Sequence, residues 1–530
     1  MESIQMWPQD VLKRTEKVLT SLDKTTFCWA FVGGLLIHLY RLTNFSMVAE
    51  TPYFFYSQNN RSDHGRWLFH HITDWTGWLD LPWLNGAVAI AYLALASVLV
   101  VRLLKIQSKA VGALAALLFV ASPATAATIH FTFLADGYAF AVLLGCLAVF
   151  CVEYSMNQSG QKAIWGVAAG AVLLCLSMAI YQSSLSLATF LCIVILTRAL
   201  FERDLKLWRR VIRMLTMGVV GTLLYLISVK LIDAPMTDHA SLNTLGKVNF
   251  EGSLNMLKWL YLDSTHPYMD LLVYPTNLVW QLLGWFGLAL FAGIILLLTV
   301  HTQLWKRPLE LIVLGIMMAA IPASWWLINI LQPEVGGQNA LQAHSSALMW
   351  PVLLAFVEYV TVRISGQGKK LLPRMIWLIQ WGGWTCCALL AFHFIVFNNQ
   401  FYTLSRLTYE KDQALYSRAL GRMEEQPEYQ FGMPLLIDGA PAQAENTTPL
   451  AEFSGKLNKY MAQFQPRSSV YGDGQRLFLN SFLNADFQDV DADTKARILN
   501  SEEFAAMPAW PAEGSIQVID GVMVMKNQTD

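Results

Sequence analysis

Long apolar runs alternate with short polar connections along the first three quarters of the chain. Eleven such runs lie at roughly 26–42, 85–104, 109–128, 137–154, 162–180, 183–200, 213–232, 277–300, 308–331, 346–363 and 375–397. Apolar helices of about 18 or more residues can span the ~30 Å hydrocarbon core of a bilayer. The pattern therefore predicts a polytopic α-helical membrane protein with about eleven transmembrane helices. Residues 1–25 read as an amphipathic N-terminus, and the first apolar run begins too late for an ordinary cleaved signal peptide.

From residue 398 the pattern changes. "FYTLSRLTYEKDQALYSRALGRMEE" has helical periodicity with charge on one face, and "MPLLIDG" reads as a buried strand ending at a turn. "GSIQVIDGVMVMKN" alternates like a hairpin, with Asp520-Gly521 as its two-residue turn. The acidic "DVDAD" at 489–493 lacks the glycine and closing glutamate of a calcium loop, so it reads as the first turn of the following helix. Residues 398–530 are thus expected to form a small α/β domain apart from the membrane domain at 26–397.

The connections are unequal in charge. Of the 37 Lys and Arg, twenty fall on one alternating set of connections, six on the other and eleven in the tail. The basic set marks the cytoplasmic side, which puts the N-terminus in the cytoplasm and the tail outside. The external loops are then 43–84, 233–276 and 332–345, and polar residues gather there. The composition, 55% hydrophobic and 14% charged with net charge −1, gives no reason to expect nucleic-acid binding. All seven cysteines lie in or beside apolar segments, so neither a disulfide framework nor a zinc site is indicated.

Candidate chemistry therefore belongs to the external face. Glu50 follows the first apolar run, beside Pro52, Tyr53, Phe54, Phe55 and Tyr56. Partial desolvation there would raise a carboxylate's pKa and suit a general base, although position alone fits a solvated loop acid better. "NRSDHGRW" at 60–67 brings Asp63, Arg66 and Trp67. Arginine offers a planar fork for phosphate oxygens and tryptophan a flat face for a sugar or lipid headgroup. An interfacial Trp with a snorkelling Arg is an equal alternative. Asp136 in "HFTFLADGYAF" opens the fourth helix, as an N-cap or as an acid facing the same compartment as Glu50. Tyr181-Gln182 in "SMAIYQSSLS" forms an outer turn whose amide could hydrogen-bond a hydroxylated ligand. The nearby histidines, His64, His70 and His71, have no cysteine or spaced acids around them, so no metal site is expected.

Several features recur in a fixed order: an acid after the first helix (Glu50), "GRWL" at 65–68, "DGYAFAVLL" opening helix four, "YQSSLS" at 181–186 and the closing "PAEGSIQVIDGVMVMK". In this order the chain resembles the membrane-embedded serotype-converting O-antigen glucosyltransferases of bacteria and their phages, the type II glucosyltransferase family. The resemblance implies a GT-C fold in the bacterial inner membrane and a periplasmic C-terminal domain. It also implies transfer of a hexose, glucose, from a polyprenyl-phosphate carrier to the lipopolysaccharide O-antigen on the periplasmic face. A flippase and a polyprenyl-phosphate glucosyltransferase would supply the donor. Family members often pair two acids in the first loop, whereas Glu50 here stands alone until Asp63.

The chemistry fits an external site. A phosphate leaving group needs no general acid, so one carboxylate to deprotonate the acceptor and one arginine to hold the phosphate suffice for inverting displacement. A monophosphate carrier requires no metal or other cofactor. Glu50 is the expected base, with Asp63 and Asp136 as rivals or orienting partners. Arg66 would hold the phosphate, Trp67 and Tyr53 would line the sugar or lipid path, and Tyr181 and Gln182 would contact substrate. The alternatives are a transporter or flippase, which tends to show repeats and midplane charge, and an O-antigen ligase or polymerase. The latter typically carries arginine in its late external loops, and loops 233–276 and 332–345 contain none.

Overall fold

The computed structural model describes residues 19–48, 51–52, 65–76, 80–232, 249–263, 271–274, 277–331, 340–364, 372–439, 461, 470 and 472–527. In chain order the helices are α1 (Ser21–Ile37), α2 (Leu39–Thr43), α3 (Phe69–Thr73), α4 (Pro82–Leu103), α5 (Lys109–Ala121) and α6 (Pro123–His130). They continue as α7 (Thr132–Ser155), α8 (Gly160–Ile180), α9 (Ser184–Glu202), α10 (Leu207–Ile232), α11 (Phe250–Leu262) and α12 (Leu278–His301). Next come α13 (Pro308–Trp325), α14 (Leu327–Leu331), α15 (Met349–Ile364) and the long α16 (Leu372–Glu424). Strand β1 (Leu435–Asp438) precedes α17 (Gly474–Leu483), α18 (Ala492–Leu499) and α19 (Glu502–Ala506), and β2 (Ile516–Ile519) and β3 (Val522–Lys526) follow them.

Every apolar run expected to be helical is helical, but not every run is one unbroken span. Nine helices among the described residues are long and apolar enough to cross a membrane, with α15 counted together with the 3-10 turn His344–Leu348 before it, or ten if α5 and α6, bent by 48° at their junction, count together. The break has a local cause. Ser122 accepts a hydrogen bond from the Thr125 N–H at 3.2 Å while Pro123 takes the first helical position, an N-terminal cap inside an apolar run. The first run divides at His38, whose ring Nε2 lies 2.9 Å from the Val120 carbonyl. That leaves α1 with 17 residues and α2 with five. The run at 308–331 divides at Trp326, and the loop at 233–276 contains α11.

Contacts clustered within the chain define two units, one of residues 1–43 and 62–399, the other of residues 44–61 and 400–530. In the helical unit, one end collects the basic connections. Lys105 pairs with Glu202 at 2.6 Å, Arg198 pairs with the same carboxylate at 2.9 Å, and Arg102 pairs with Asp23 at 2.7 Å. Arg210 bridges Glu153 and Asp204. Burial opposes ionisation of Asp204, but the Lys206 N–H and Arg210 outweigh it and hold its carboxyl below the usual range. The cations that mark one side of the chain therefore also fasten its helix ends.

The second unit is the α/β region. β1 pairs in parallel with β3 and β2 pairs antiparallel with β3, giving the order β1-β3-β2. Asp520 and Gly521 both have positive φ, 50° and 77°, as the two-residue hairpin turn requires. Asp491 caps α18 through the Thr494 N–H at 2.9 Å, so "DVDAD" serves the start of that helix. Part of the first loop belongs here too. Phe45 meets Tyr409 edge-on at 5.3 Å, and Met47 is buried with Tyr416 and Phe478.

Candidate active site

The site is assembled from three separate segments at the opposite end of the helical unit from the ion pairs. α8 stops at Ile180, and Tyr181 turns into extended backbone (φ −152°, ψ 112°) while its N–H still bonds the Ser177 carbonyl at 2.9 Å. Gln182 follows, and α9 begins at Ser184. The segment "GRWL" lies across this corner, with the Leu68 N–H donating to the Ala179 carbonyl at 3.2 Å.

Gly65 starts the segment with φ +75°, a conformation costly for any residue with a Cβ. A Cβ there would also sit 3.0 Å from the Tyr225 hydroxyl on α10. This turn presents Arg66 to the α8–α9 corner. Its guanidinium carbon lies 5.0 Å from the centre of the Tyr181 ring, and its Nε donates to the Gln182 Oε1 at 3.4 Å. The Gln182 Nε2 in turn donates to the Tyr225 hydroxyl at 2.9 Å. Trp67 donates its indole N–H to the Ser228 hydroxyl at 3.0 Å, which ties the next residue to α10 as well.

Arg66, Tyr181 and Gln182, three of the residues expected to bind substrate, thus come together directly, and a fourth, Trp67, next to Arg66, is anchored on α10. A chain of rings extends from them: Tyr181 lies 4.6 Å from Tyr138, which stacks on Phe69 at 5.1 Å. Asp136 stands on the same stretch of α7 as Tyr138. It is not the N-cap that its sequence position suggested, because α7 begins at Thr132 and Asp136 lies inside it, 2% exposed. Its carboxylate accepts the Thr76 hydroxyl at 2.7 Å and the Gly137 N–H at 2.9 Å. The remaining candidates, Glu50, Asp63 and Tyr53, lie outside the described residues.

Two groups of residues escaped sequence reasoning. Tyr225 and Ser228 look like ordinary polar interruptions of an apolar run, although their i,i+3 spacing puts them on one helix face. The second group centres on Asp80, which accepts the Thr132 hydroxyl and lies 4.0 Å from the Arg41 guanidinium, both side chains 1% exposed. Arg41 also donates to the His130 carbonyl at 2.9 Å and the Thr132 hydroxyl at 2.8 Å. Thr132 and Asp136 are one helical turn apart, so α7 carries contacts to both acids on one face. A signal for Asp80 existed in "LDLPW", an acid two residues ahead of the proline that starts α4.

A guanidinium placed over a ring and hydrogen-bonded to the neighbouring amide is oriented in advance, which suits recognition of an anion with planar or tetrahedral oxygens. The surrounding aromatic faces and amide suit a hydroxylated ring. No solved structure and no curated protein matches the chain. The family described as glucosyl transferase GtrII matches residues 39–357, more than half of the chain and the stretch that contains every residue of this cluster. The chain belongs to this family of membrane-embedded glucosyl transferases.

Proposed function

We propose that the protein moves glucose from a polyprenyl-phosphate carrier to the O-antigen of lipopolysaccharide at the periplasmic face of the bacterial inner membrane, within a GT-C architecture. One observation supports this reading above the others. Three segments distant in sequence, 65–68, 136–138 and 181–182, converge at one end of the helical unit around the oriented Arg66. A lipid-borne phosphate presents its sugar at the membrane surface, where helix ends meet water.

In the proposed reaction an acceptor hydroxyl attacks the anomeric carbon and its proton passes to a carboxylate. The bond from that carbon to the phosphate oxygen breaks, and its electron pair leaves with the phosphate. Arg66 would stabilise the charge gathered on that phosphate. The leaving group needs neither a proton nor a metal, and the configuration at the anomeric carbon inverts. On sequence grounds the base is Glu50, with Asp63 as its rival. Asp136, which already accepts the Thr76 hydroxyl and the Gly137 N–H, fits an orienting role better. The N-terminus would lie in the cytoplasm and the C-terminal α/β domain in the periplasm, with a flippase and a polyprenyl-phosphate glucosyltransferase as suppliers of donor.

The test is transfer from polyprenyl-phosphate glucose to purified O-antigen by membranes carrying the protein. Arg66→Lys keeps the charge but loses the flat guanidinium over the Tyr181 ring, and it should raise the KM for donor about tenfold, equivalent to ~1.4 kcal/mol. Arg61→Lys should change it little. Equal, small effects of the two substitutions would remove Arg66 from donor binding.

A further inference from the structure

An apolar furrow runs between α9 and α10, and at one end its lining stops at Leu185 and Leu223, within three residues of Gln182 and Tyr225 in the polar cluster around Arg66. Its cavity is about 520 Å³, within the ~300–1,000 Å³ range of ligand pockets. One wall follows α9 from Leu185 to Leu196, the other follows α10 from Leu223 to Val211, and Leu174 of α8 is in its lining. Eleven residue-to-residue rises of helix make the α9 wall ~16 Å long. The furrow exists because α10 leans on α8: a Cβ at Gly221 would lie 2.9 Å from the Ala171 carbonyl, so glycine lets those backbones approach. Gly218, one turn away, has nothing within 4 Å of its would-be Cβ and leaves the cleft open. On the outer rim Leu223 is 52% exposed, facing the surface that lipid covers in a membrane.

Polarity changes abruptly at one end of the furrow. Gln182 precedes Leu185 by three residues and Tyr225 follows Leu223 by two. These two side chains are hydrogen-bonded to each other, and Gln182 accepts from Arg66. A cation above a long apolar slot matches an amphiphile with an anionic head and one apolar tail. A phospholipid brings two tails, whereas a slot between two helices takes one.

We propose that the α9–α10 furrow holds the isoprenoid chain of the donor, with its phosphate at Arg66 and Gln182. The proposal rests on the polyprenyl-phosphate donor reading and adds the binding site for the lipid.

Two measurements test it. The first compares kcat/KM for polyprenyl-phosphate glucose with a long tail and with a tail of one or two isoprene units. Gly218→Leu, which fills the slot, should lower the long-to-short ratio at least about tenfold, that is ~1.4 kcal/mol of tail binding. An unchanged ratio would overturn the proposal. The second measurement uses the unaltered protein, so it stands even if the variant fails to fold. A polyprenyl phosphate with a photoreactive group in its tail should crosslink to peptides of α9 and α10, and excess unlabelled polyprenyl phosphate should suppress this. Crosslinks elsewhere, or suppression by bilayer phospholipid alone, would assign the furrow to ordinary lipid and reject the proposal. Unaltered protein that uses neither donor would instead remove the donor reading itself, and this occupant with it.

Discussion

Gln182 uses both ends of its amide, accepting from Arg66 and donating to Tyr225, which makes it the best single residue for separating two roles of the cluster. If the cluster only holds the fold together, Gln182→Glu should be milder than Gln182→Leu. The introduced carboxylate could accept from both Arg66 and the Tyr225 hydroxyl, and hydrogen bonds to charged groups are the stronger kind. If Arg66 binds a phosphate, the order reverses, because the carboxylate neutralises the arginine and repels the donor. We expect the reversed order, with Gln182→Glu raising donor KM about tenfold above Gln182→Leu. Its loss should lessen as pH falls and the introduced carboxyl takes up a proton. Donor titrations of both variants at two pH values check this, and a milder Gln182→Glu would return the cluster to architecture. At this scale the sequence showed the residue types but not their meeting. Arg66, Tyr181 and Gln182 stand out as polar groups between apolar runs, whereas Tyr225 and Ser228 lie within one, where hydropathy averages them away.

The short helix α3 shows how an element, rather than a residue, positions the site. It follows "GRWL" directly, and its seat on α7 exists because residue 137 is glycine. A Cβ there would lie 2.5 Å from the Phe69 ring and 3.0 Å from the Thr73 methyl. Gly137→Ala should therefore push α3 off α7, disturb the Phe69–Tyr138–Tyr181 ring chain and reduce transfer about tenfold, although Gly137 makes no substrate contact in this scheme. Phe69→Leu removes the ring atoms that clash, so adding it should restore part of the loss; a double variant no better than Gly137→Ala would refute this seating. Transfer rates for the two single variants and the pair, with thermal stability in detergent alongside, provide the comparison. Elements such as α3 are the least legible part of the sequence. The apolar runs announce themselves by length, but five-residue helices, the Ser122-Pro123 break and the start of α7 at Thr132 depend on caps and tertiary contacts that periodicity does not register. Asp136 lies inside α7 rather than at its start for this reason: Thr132 to Ala135 carry no stop signal, and the helix extends through them.

At the scale of the whole molecule, the first loop constrains the number of crossings. Phe45 and Met47 share a hydrophobic core with Tyr409, Tyr416 and Phe478, and the Arg406 guanidinium donates to the Phe45 carbonyl at 2.7 Å. One such core cannot straddle a bilayer, so the first loop and the tail lie on the same side and an even number of crossings must separate them. The nine unbroken spans among the described residues all begin after Phe45 and Met47, the last of them running on into the tail at Tyr409 and Tyr416, and nine is odd. The bent pair α5–α6 supplies the tenth if it crosses rather than turning back. Its contacts favour crossing: Lys105, just before α5, pairs with Glu202 at the basic end, whereas the carbonyl of His130, closing α6, accepts from Arg41 beside Asp80 and Thr132. We therefore expect a reporter active only in an oxidising compartment, such as alkaline phosphatase, to be inactive when fused after Gln107 and active when fused after Phe131 or after Asp530. Fluorescent-protein fusions, bright only in the cytoplasm, should give the complementary pattern. Equal signals after Gln107 and Phe131 would make α5–α6 a re-entrant loop, leave an odd count, and contradict the shared core of the first loop and the tail.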